Sequence, residues 1–293
     1  MKYAALVLAL LAASCSSTPK SQDAKLTVVA NFYPVAEAAR RVGGHRVSVT
    51  NLTPSGVEPH DLELTSRDVD RIENADVVLY VGSGFQPAVA KAARGRDKPS
   101  VDVASGLLGK REGNATDPHF WLDPKRMARA VDAVARTFAA ADKGHAALYA
   151  SNAAAYTTAL AALDAQYAAT LATCQRHEIV TAHAAFAYMS ERYGLTQLPV
   201  TGVSPDAEAD PQRIADLADL IKRDGVTTVF YEELVPRDFA DVLARETGAK
   251  AAALSPIEGL TKDEVKAGDD YLSVMRRNLQ ALAGALACAV APQ

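Results

Sequence analysis

The chain has 293 residues, of which 49% are hydrophobic and 23% are charged, and its formal net charge is -4. This length and apolar content are sufficient for two ordinary domains, each with its own core. The charge is balanced and the sequence contains no basic block or RNA-binding motif, so nucleic acid is not expected as a partner.

The N-terminus has the pattern of an export signal. Lys2 supplies a positive charge, an apolar stretch covers residues 4–13, and the small residues before Cys15 resemble a bacterial lipobox. A stretch of this length is too short to span a bilayer, which requires about 20 residues. We predict a signal peptide over residues 1–14, lipidation of Cys15 and a polar tether over residues 15–24. A plain signal peptide with no role for Cys15 is the alternative.

The first part of the exported chain alternates between strand and helix patterns. Such alternation is typical of a parallel sheet with helices packed on its faces. The second helix is predicted to begin with Ser66 as its cap. The predicted strands are 25–31, 45–51, 76–81 and 100–103, and the predicted helices are 34–42, 66–75 and 86–94.

The last part of the chain repeats this order. Two similar α/β lobes with parallel sheets, covering residues 25–124 and 175–293, are therefore predicted. In the second lobe the predicted strands are 177–181, 198–203, 227–231 and 250–254, and the predicted helices are 185–193, 211–223 and 236–247.

An Ala-rich helical linker, residues 125–174, separates the two lobes. Gly144 interrupts it, and residues 146–173 then continue without Pro or Gly. At 1.5 Å per residue this stretch forms a rigid helix of about 42 Å, which is long enough to pack along both lobes. An amphipathic helix over residues 269–287 is predicted to close the chain.

Two cysteines, Cys174 and Cys288, remain in addition to Cys15. Exported proteins with an even number of cysteines commonly form disulfides, so we predict a bond between these two. Two buried free thiols are the alternative, because the sequence does not reveal whether their Cα atoms lie close enough.

Three of the six histidines lie at the ends of predicted strands. His60 follows the second strand, His119 lies in a loop bracketed by prolines after the fourth strand, and His183 ends the first strand of the second lobe. Ligands of parallel sheets bind beyond the carboxyl ends of the strands, so these imidazoles are predicted to form a metal site in the cleft. Asp117 and Asp123 are predicted to form a turn and a helix cap, and either could also accept a hydrogen bond from an imidazole.

A carboxylate is expected to complete this metal site. Because the lobes repeat, the loop that matches the one carrying His119 should contribute, and Glu258 is its only ionisable group. Glu232, which follows the preceding strand, and a water molecule are the alternatives. Three imidazoles and one carboxylate bind Zn²⁺ tetrahedrally, whereas Mn²⁺ prefers more oxygen ligands, so Zn²⁺ is the expected ion and Mn²⁺ is less favoured.

The motifs together resemble those of the metal-binding proteins of zinc and manganese ABC importers. The resemblance covers residues 25–286 and implies two α/β lobes joined by a long helix, with the metal held in the cleft and delivered to a membrane permease. It matches the family's ligand positions to His60, His119 and His183, and a histidine at the third position is similar to the zinc branch. The motifs that carry the resemblance are residues 56–61, 117–124, 181–186, 192–194, 202–208 and 268–271.

With the predicted lipobox, this resemblance leads us to expect an extracytoplasmic lipoprotein receptor that acts as a monomer and is not an enzyme. An exported zinc hydrolase is the alternative function, although the sequence has no His-Glu-x-x-His pattern and no nucleophile elbow. An adhesin with the same fold is a third alternative, for which no residue argues. Two features depart from the family pattern. The family's fourth ligand is often Asp where this chain has Glu258, and the His-rich loop of some zinc members is missing, since residues 110–116 contain no histidine.

Overall fold

The computed structural model describes residues 25–109, 116–205 and 210–289 of the chain. The predicted signal peptide, the tether and Cys15 lie outside the described residues. Within the described ranges, no helix combines the length and the apolar character needed to cross a membrane.

The first lobe is built on a parallel sheet of four strands in the order β2-β1-β3-β4. Its strands are β1 (Leu26–Ala30), β2 (Val47–Asn51), β3 (Val77–Tyr80) and β4 (Ser100–Asp102). Its helices are α1 (Tyr33–Gly43), α2 (Ser66–Asn74) and α3 (Pro87–Arg94).

Two helices, α4 (Pro124–Ala141) and α5 (Ala146–Leu171), follow the first lobe. Helix α5 contains 26 residues and is therefore about 39 Å long. Its buried side chains recur every three or four residues and pack against α4 and α1 on the side of the first lobe. The predicted long rigid helix is thus present, and it ends two residues earlier than the sequence pattern suggested.

The second lobe repeats the architecture of the first, with strands in the order β6-β5-β7-β8 and all neighbouring pairs parallel. Its strands are β5 (Glu178–Thr181), β6 (Thr196–Pro199), β7 (Thr228–Tyr231) and β8 (Lys250–Ala253). Its helices are α6 (Ala187–Tyr193), α7 (Pro211–Asp224), α8 (Asp238–Thr247), α9 (Lys262–Ala267) and α10 (Tyr271–Ala285).

One apolar core runs through both lobes. It joins inward-facing residues of both sheets to helices α1, α4, α5 and α10, whereas one smaller cluster lies on the outer face of each sheet. The hydroxyl of Tyr167 in α5 donates a hydrogen bond to the carbonyl of Met275 in α10, so the long helix also contacts the second lobe. A shared core of this kind resists large relative movements of the lobes, since movement would expose apolar surface.

A disulfide joins Cys174 to Cys288, as predicted. It links the residues that follow α5 to those that follow α10. The backbone N–H groups of Gln175 and Arg176 donate to the carbonyl of Leu286 beside it. The end of the long helix is therefore fixed to the end of the chain's last helix.

Two local predictions were wrong, and one short helix was not predicted. Strand β6 begins at Thr196, earlier than predicted, because its pairing with β5 sets its register. The cap of α2 is Thr65, whose side chain accepts from the backbone of Asp68 in a capping box, so Ser66 is the first helical residue. Helix α9 was missed because it is short and buries none of its side chains, although Thr261 and Glu264 form a capping box at its start.

Candidate metal centre

Four side chains converge in the cleft between the lobes: His60 and His119 from the first lobe, and His183 and Glu258 from the second. One potential ligand atom from each lies within 4.8 Å of the others. His119 and His183 are fully buried, Glu258 is nearly so, and His60 is partly exposed. The structure therefore brings together all four residues that the sequence analysis selected.

The Nε2 atoms of the three imidazoles surround one carboxylate oxygen. Glu258 Oε1 lies 2.8 Å from His119 Nε2, 3.2 Å from His60 Nε2 and 3.4 Å from His183 Nε2. The Nε2 atoms of His119 and His183 lie 3.2 Å apart. Ligands bound tetrahedrally to zinc at about 2.0–2.1 Å lie roughly 3.3 Å from one another, so these separations fit such a site.

The loop before α4 fixes the orientation of His119. The carboxylate of Asp117 lies 2.8 Å from His119 Nδ1 and also accepts from the His119 backbone N–H at 2.9 Å. An Nδ1–H that donates to a carboxylate leaves the Nε2 lone pair free to bind a metal. Asp123 instead caps α4 by accepting from the backbone N–H of Lys125. The two aspartates of this motif thus have separate roles.

Glu232 orients His183 in the same way from the second lobe. It directly follows β7, and its two carboxylate oxygens lie 2.8 and 2.9 Å from His183 Nδ1. Glu232 therefore lies behind the imidazole, on the side opposite Nε2. This position favours Glu258 over Glu232 as the carboxylate that faces the centre.

His60 lies in a loop that polar side chains hold to the first lobe. The side-chain nitrogen of Gln86 donates a hydrogen bond to the carbonyl of Pro59 at 2.8 Å. The side-chain oxygen of Gln86 accepts a hydrogen bond from the side-chain nitrogen of Asn31 at 2.8 Å. Gly56 in the same loop has a φ of 83° and donates its N–H to the carbonyl of Leu260 in the second lobe. The His60 loop is thus fixed to its own lobe and also contacts the opposite one.

The charges in the centre favour a cation. Burial alone would lower the pKa of His119, but hydrogen bonds with Asp117 and Glu258 raise it above its usual value. Burial is likewise outweighed at His183, whose pKa is raised well above the usual value by the nearby carboxylates of Glu232 and Glu258. Three carboxylates thus surround three imidazoles, and a divalent ion bound at Nε2 would replace the protons that this environment attracts.

Asp117 was expected as a hydrogen-bond acceptor for an imidazole, but other residues that support the ligands were not predicted from the sequence. Gln86 directly precedes α3 and Asn278 lies within α10; both are buried amides, and nothing in the local sequence distinguishes them. Trp121 lies in the motif that marks His119, but a tryptophan in such a position is also consistent with simple packing. The other histidines lie elsewhere, as His145 illustrates by bonding to Asp142 on the helical linker.

The fold and the centre define a class of protein: two α/β lobes on a rigid helical connection, with a buried cluster of three histidines and one carboxylate between them. The sequence model of the family described as the periplasmic component A of the zinc-uptake complex, ZnuA, matches residues 28–285. The chain belongs to this family.

Relatives with known names support this assignment. The zinc-binding protein AdcA of Streptococcus pyogenes serotype M18 is 37% identical over 287 residues, which cover 89% of this chain and 56% of that protein. The chain thus spans just over half the length of this relative. The high-affinity zinc uptake system protein ZnuA of Bacillus subtilis is 33% identical over 300 residues, with 94% of each chain covered.

Solved structures show the same architecture. The crystal structure of the Zn(II)-bound ZnuA-like domain of AdcA from Streptococcus pneumoniae superimposes with a TM-score of 0.79 and 34% sequence identity. The match covers 89% of this chain and 99% of that domain. The two-lobe fold predicted from the sequence is therefore confirmed.

Proposed function

We propose that this chain is an extracytoplasmic receptor that binds Zn²⁺ through His60, His119, His183 and Glu258 and delivers it to an ABC-type importer. The observation that carries the proposal is the convergence of four ligand atoms, two from each lobe, at separations that suit a tetrahedral ion. The relatives named as zinc-binding and zinc-uptake proteins support the same ion.

The composition of the centre favours Zn²⁺ over Mn²⁺. Three imidazole nitrogens and one carboxylate oxygen suit zinc, whereas manganese prefers a site richer in oxygen. His183→Glu should therefore shift the preference toward manganese. Comparing the affinities of the variant and of the wild type for both ions tests this preference.

The same composition favours a receptor over the alternative of a zinc hydrolase. Catalytic zinc sites have three protein ligands and keep a position open for water, whereas four side chains converge here. Assays of ester, phosphate and peptide hydrolysis with added zinc are expected to give no rate above that of the His119→Ala variant. A zinc-dependent rate that His119→Ala abolishes would instead identify a hydrolase.

The zinc-binding step can be tested directly. Elemental analysis after purification without added metal should find zinc, and zinc should raise the melting temperature of chelator-treated protein. Free zinc at 100 times its dissociation constant adds about 2.7 kcal/mol to the free energy of unfolding. The matched control is His45→Ala, which removes an exposed histidine and should leave the zinc effect intact. Equal melting temperatures of the wild type with and without zinc would refute the proposal.

The delivery step depends on location and on a partner. We propose that lipidated Cys15 anchors a monomer to the membrane, with residues 25–124 and 175–293 as the two lobes and residues 125–174 as their helical connection. Cys15→Ala should move the protein from the membrane fraction to the soluble extracytoplasmic fraction. Zinc accumulation in cells that contain the permease but lack their own receptor should depend on this chain and fall with His119→Ala.

A further inference from the structure

The loop that carries Glu258 has a strained backbone. Ile257, which immediately precedes Glu258, has a φ of 55° and is fully buried. A β-branched residue rarely adopts this left-handed conformation, because its side chain clashes with the backbone. Such a conformation persists only where the surroundings hold it, so contacts with the loop must fix its shape.

One of these contacts comes from the same lobe. Asn278 in α10 is buried, and its side-chain oxygen accepts from the Ser255 N–H at 2.9 Å. Its amide nitrogen donates to the Ser255 carbonyl at 2.7 Å. These two bonds fix the start of the loop, but they lie three residues before Glu258 and leave the next peptide groups to other partners.

The second contact crosses the cleft. The indole N–H of Trp121, in the first lobe, donates to the carbonyl of Pro256 at 2.7 Å. Pro256 lies two residues before Glu258 and directly before the strained Ile257. Because the donor and the acceptor belong to different lobes, this hydrogen bond exists only while the lobes are in contact.

The indole is itself fixed relative to the imidazoles. Trp121 is fully buried, and its ring packs on Phe32 at 4.7 Å and on His119 at 5.1 Å between centroids. The backbone carbonyl of Trp121 accepts a hydrogen bond from the hydroxyl of Tyr271 in the second lobe. The ring that holds the Glu258 loop is therefore positioned by the same segment that carries His119.

We propose that Trp121 is a positioning residue that couples contact between the lobes to the placement of Glu258 among the three imidazoles. In the separated lobes the strained loop loses this hydrogen bond and the carboxylate is released from the ligand position. The inference rests on the proposed function, since it takes Glu258 to be a ligand for Zn²⁺. It predicts that the indole N–H contributes to zinc affinity through Glu258.

The sharpest test replaces Trp121 with benzothienylalanine, which keeps the size and shape of the ring and removes only the N–H group. Zinc affinity is measured by competition with a chromophoric chelator, in the wild type and in Glu258→Ala. Loss of one buried hydrogen bond should weaken zinc binding roughly tenfold in the wild-type background. In the Glu258→Ala background the same replacement should change affinity by less than about twofold, since coupled residues are not additive.

Tyr167→Phe provides the control, because it removes a hydrogen bond between the long helix and the second lobe that involves neither Trp121 nor the Glu258 loop. Its effect on affinity should be the same in both backgrounds. Trp121→Phe extends the test to an ordinary variant, and circular dichroism of the metal-free proteins checks that each is folded.

The outcomes separate the inference from the proposed function. If the benzothienylalanine protein binds zinc like the wild type, or if its loss of affinity persists in Glu258→Ala, Trp121 only packs and the inference is overturned. If the wild type does not bind zinc, or if Glu258→Ala binds it normally, the assigned ligand set fails and the inference fails with it. Non-additivity of the Trp121 replacement with Glu258→Ala, together with additivity of Tyr167→Phe with Glu258→Ala, supports the inference.

Discussion

The two lobes share one strand order, but only one of the two metal-site side chains of each lobe follows an equivalent strand. The fourth strands are equivalent, since β4 leads to the loop of His119 and β8 leads to that of Glu258. The first strands differ, because β5 leads to His183 whereas β1 leads to Asn31, which supports Gln86 in the first lobe. The repeated sheet therefore determines where the loops meet, and each loop separately determines which side chain it presents.

The lobes also differ in how deeply they bury their ligands. In the second lobe both candidate ligands are buried, whereas the first lobe contributes the buried His119 and the partly exposed His60. His119 and His183 nevertheless have the same support, a carboxylate at Nδ1 that comes from their own lobe. Each lobe therefore provides one imidazole whose orientation a carboxylate fixes, and His60 is the ligand most open to replacement by water.

The largest effect should come from removing the two buried imidazoles. His119→Ala and His183→Ala should each weaken zinc binding at least about 100-fold. A direct ligand contributes more than the groups that hydrogen-bond to it, whose loss costs roughly 10–100-fold. The two losses should be similar, because the residues occupy matched positions. His60→Ala should cost less, as water can reach its place. Calorimetric titration of chelator-treated protein checks this order, and a loss at His60 that exceeds both others would contradict it.

Removing the supporting carboxylates should have the next largest effect. Asp117→Asn and Glu232→Gln should each weaken zinc binding roughly 10–100-fold by loosening the imidazole and changing its tautomer. Asp123→Asn is the control, because Asn also caps a helix well and Asp123 contacts no imidazole of the centre. Competition with a chelator measures all three affinities. A large loss for Asp123→Asn with none for Asp117→Asn would show that helix capping, rather than support of the ring, is what the motif requires.

Glu258→Ala should weaken zinc binding clearly, but less than the loss of any of the three imidazoles, because water can replace one carboxylate oxygen. This prediction tests whether the fourth strands of the two lobes are equivalent in function as well as in position. If Glu258→Ala binds zinc like the wild type while Glu232→Ala loses the ability to bind, the carboxylate has been assigned wrongly. Calorimetry on the two variants decides between them.

The pH dependence should distinguish the two buried imidazoles. The pKa values of both imidazoles are raised in the folded metal-free protein. The stability that the protonated rings contribute is therefore fully present below about pH 6.5, and it is lost as the pH rises through the raised pKa of the folded state. Protons compete with zinc, so zinc affinity should fall as pH falls, beginning above pH 6.5, by on the order of tenfold per pH unit for each proton displaced. His183 should keep its proton to a higher pH than His119. Histidine NMR of the metal-free protein checks this order, and affinity that is constant from about pH 5.5 to 8 would contradict the competition.

The disulfide should affect the scaffold and leave the centre almost unchanged. Replacing Cys174 and Cys288 with Ser should lower the free energy of unfolding by about 2–5 kcal/mol, as for other native disulfides. Zinc affinity should change by less than about twofold, because the bond joins the ends of α5 and α10 rather than the loops of the cleft. Denaturant unfolding and chelator competition measure the two effects. Two free thiols in denatured, unreduced protein would show that the bond does not form.

The sequence by itself determined the order of strands and helices, the long helix and the candidate ligands. Strand and helix periodicities are local, and parallel strands place their carboxyl ends at one edge, so the positions of His60, His119 and His183 could be inferred without coordinates. The repeat of the two lobes extended this argument to Glu258. Element boundaries were less accurate, since β6 is set by its register with β5 and not by its own residues.

Only the tertiary structure decided how the ligands are held. Glu232 and Asp117 could each have had several roles until their distances to Nδ1 were known. The contacts of Trp121 with Pro256 and of Gln86 with Pro59 join residues 135 and 27 positions apart in the chain. No periodicity or motif encodes such pairs, because hydrogen bonds between distant segments depend on how the lobes and loops pack together.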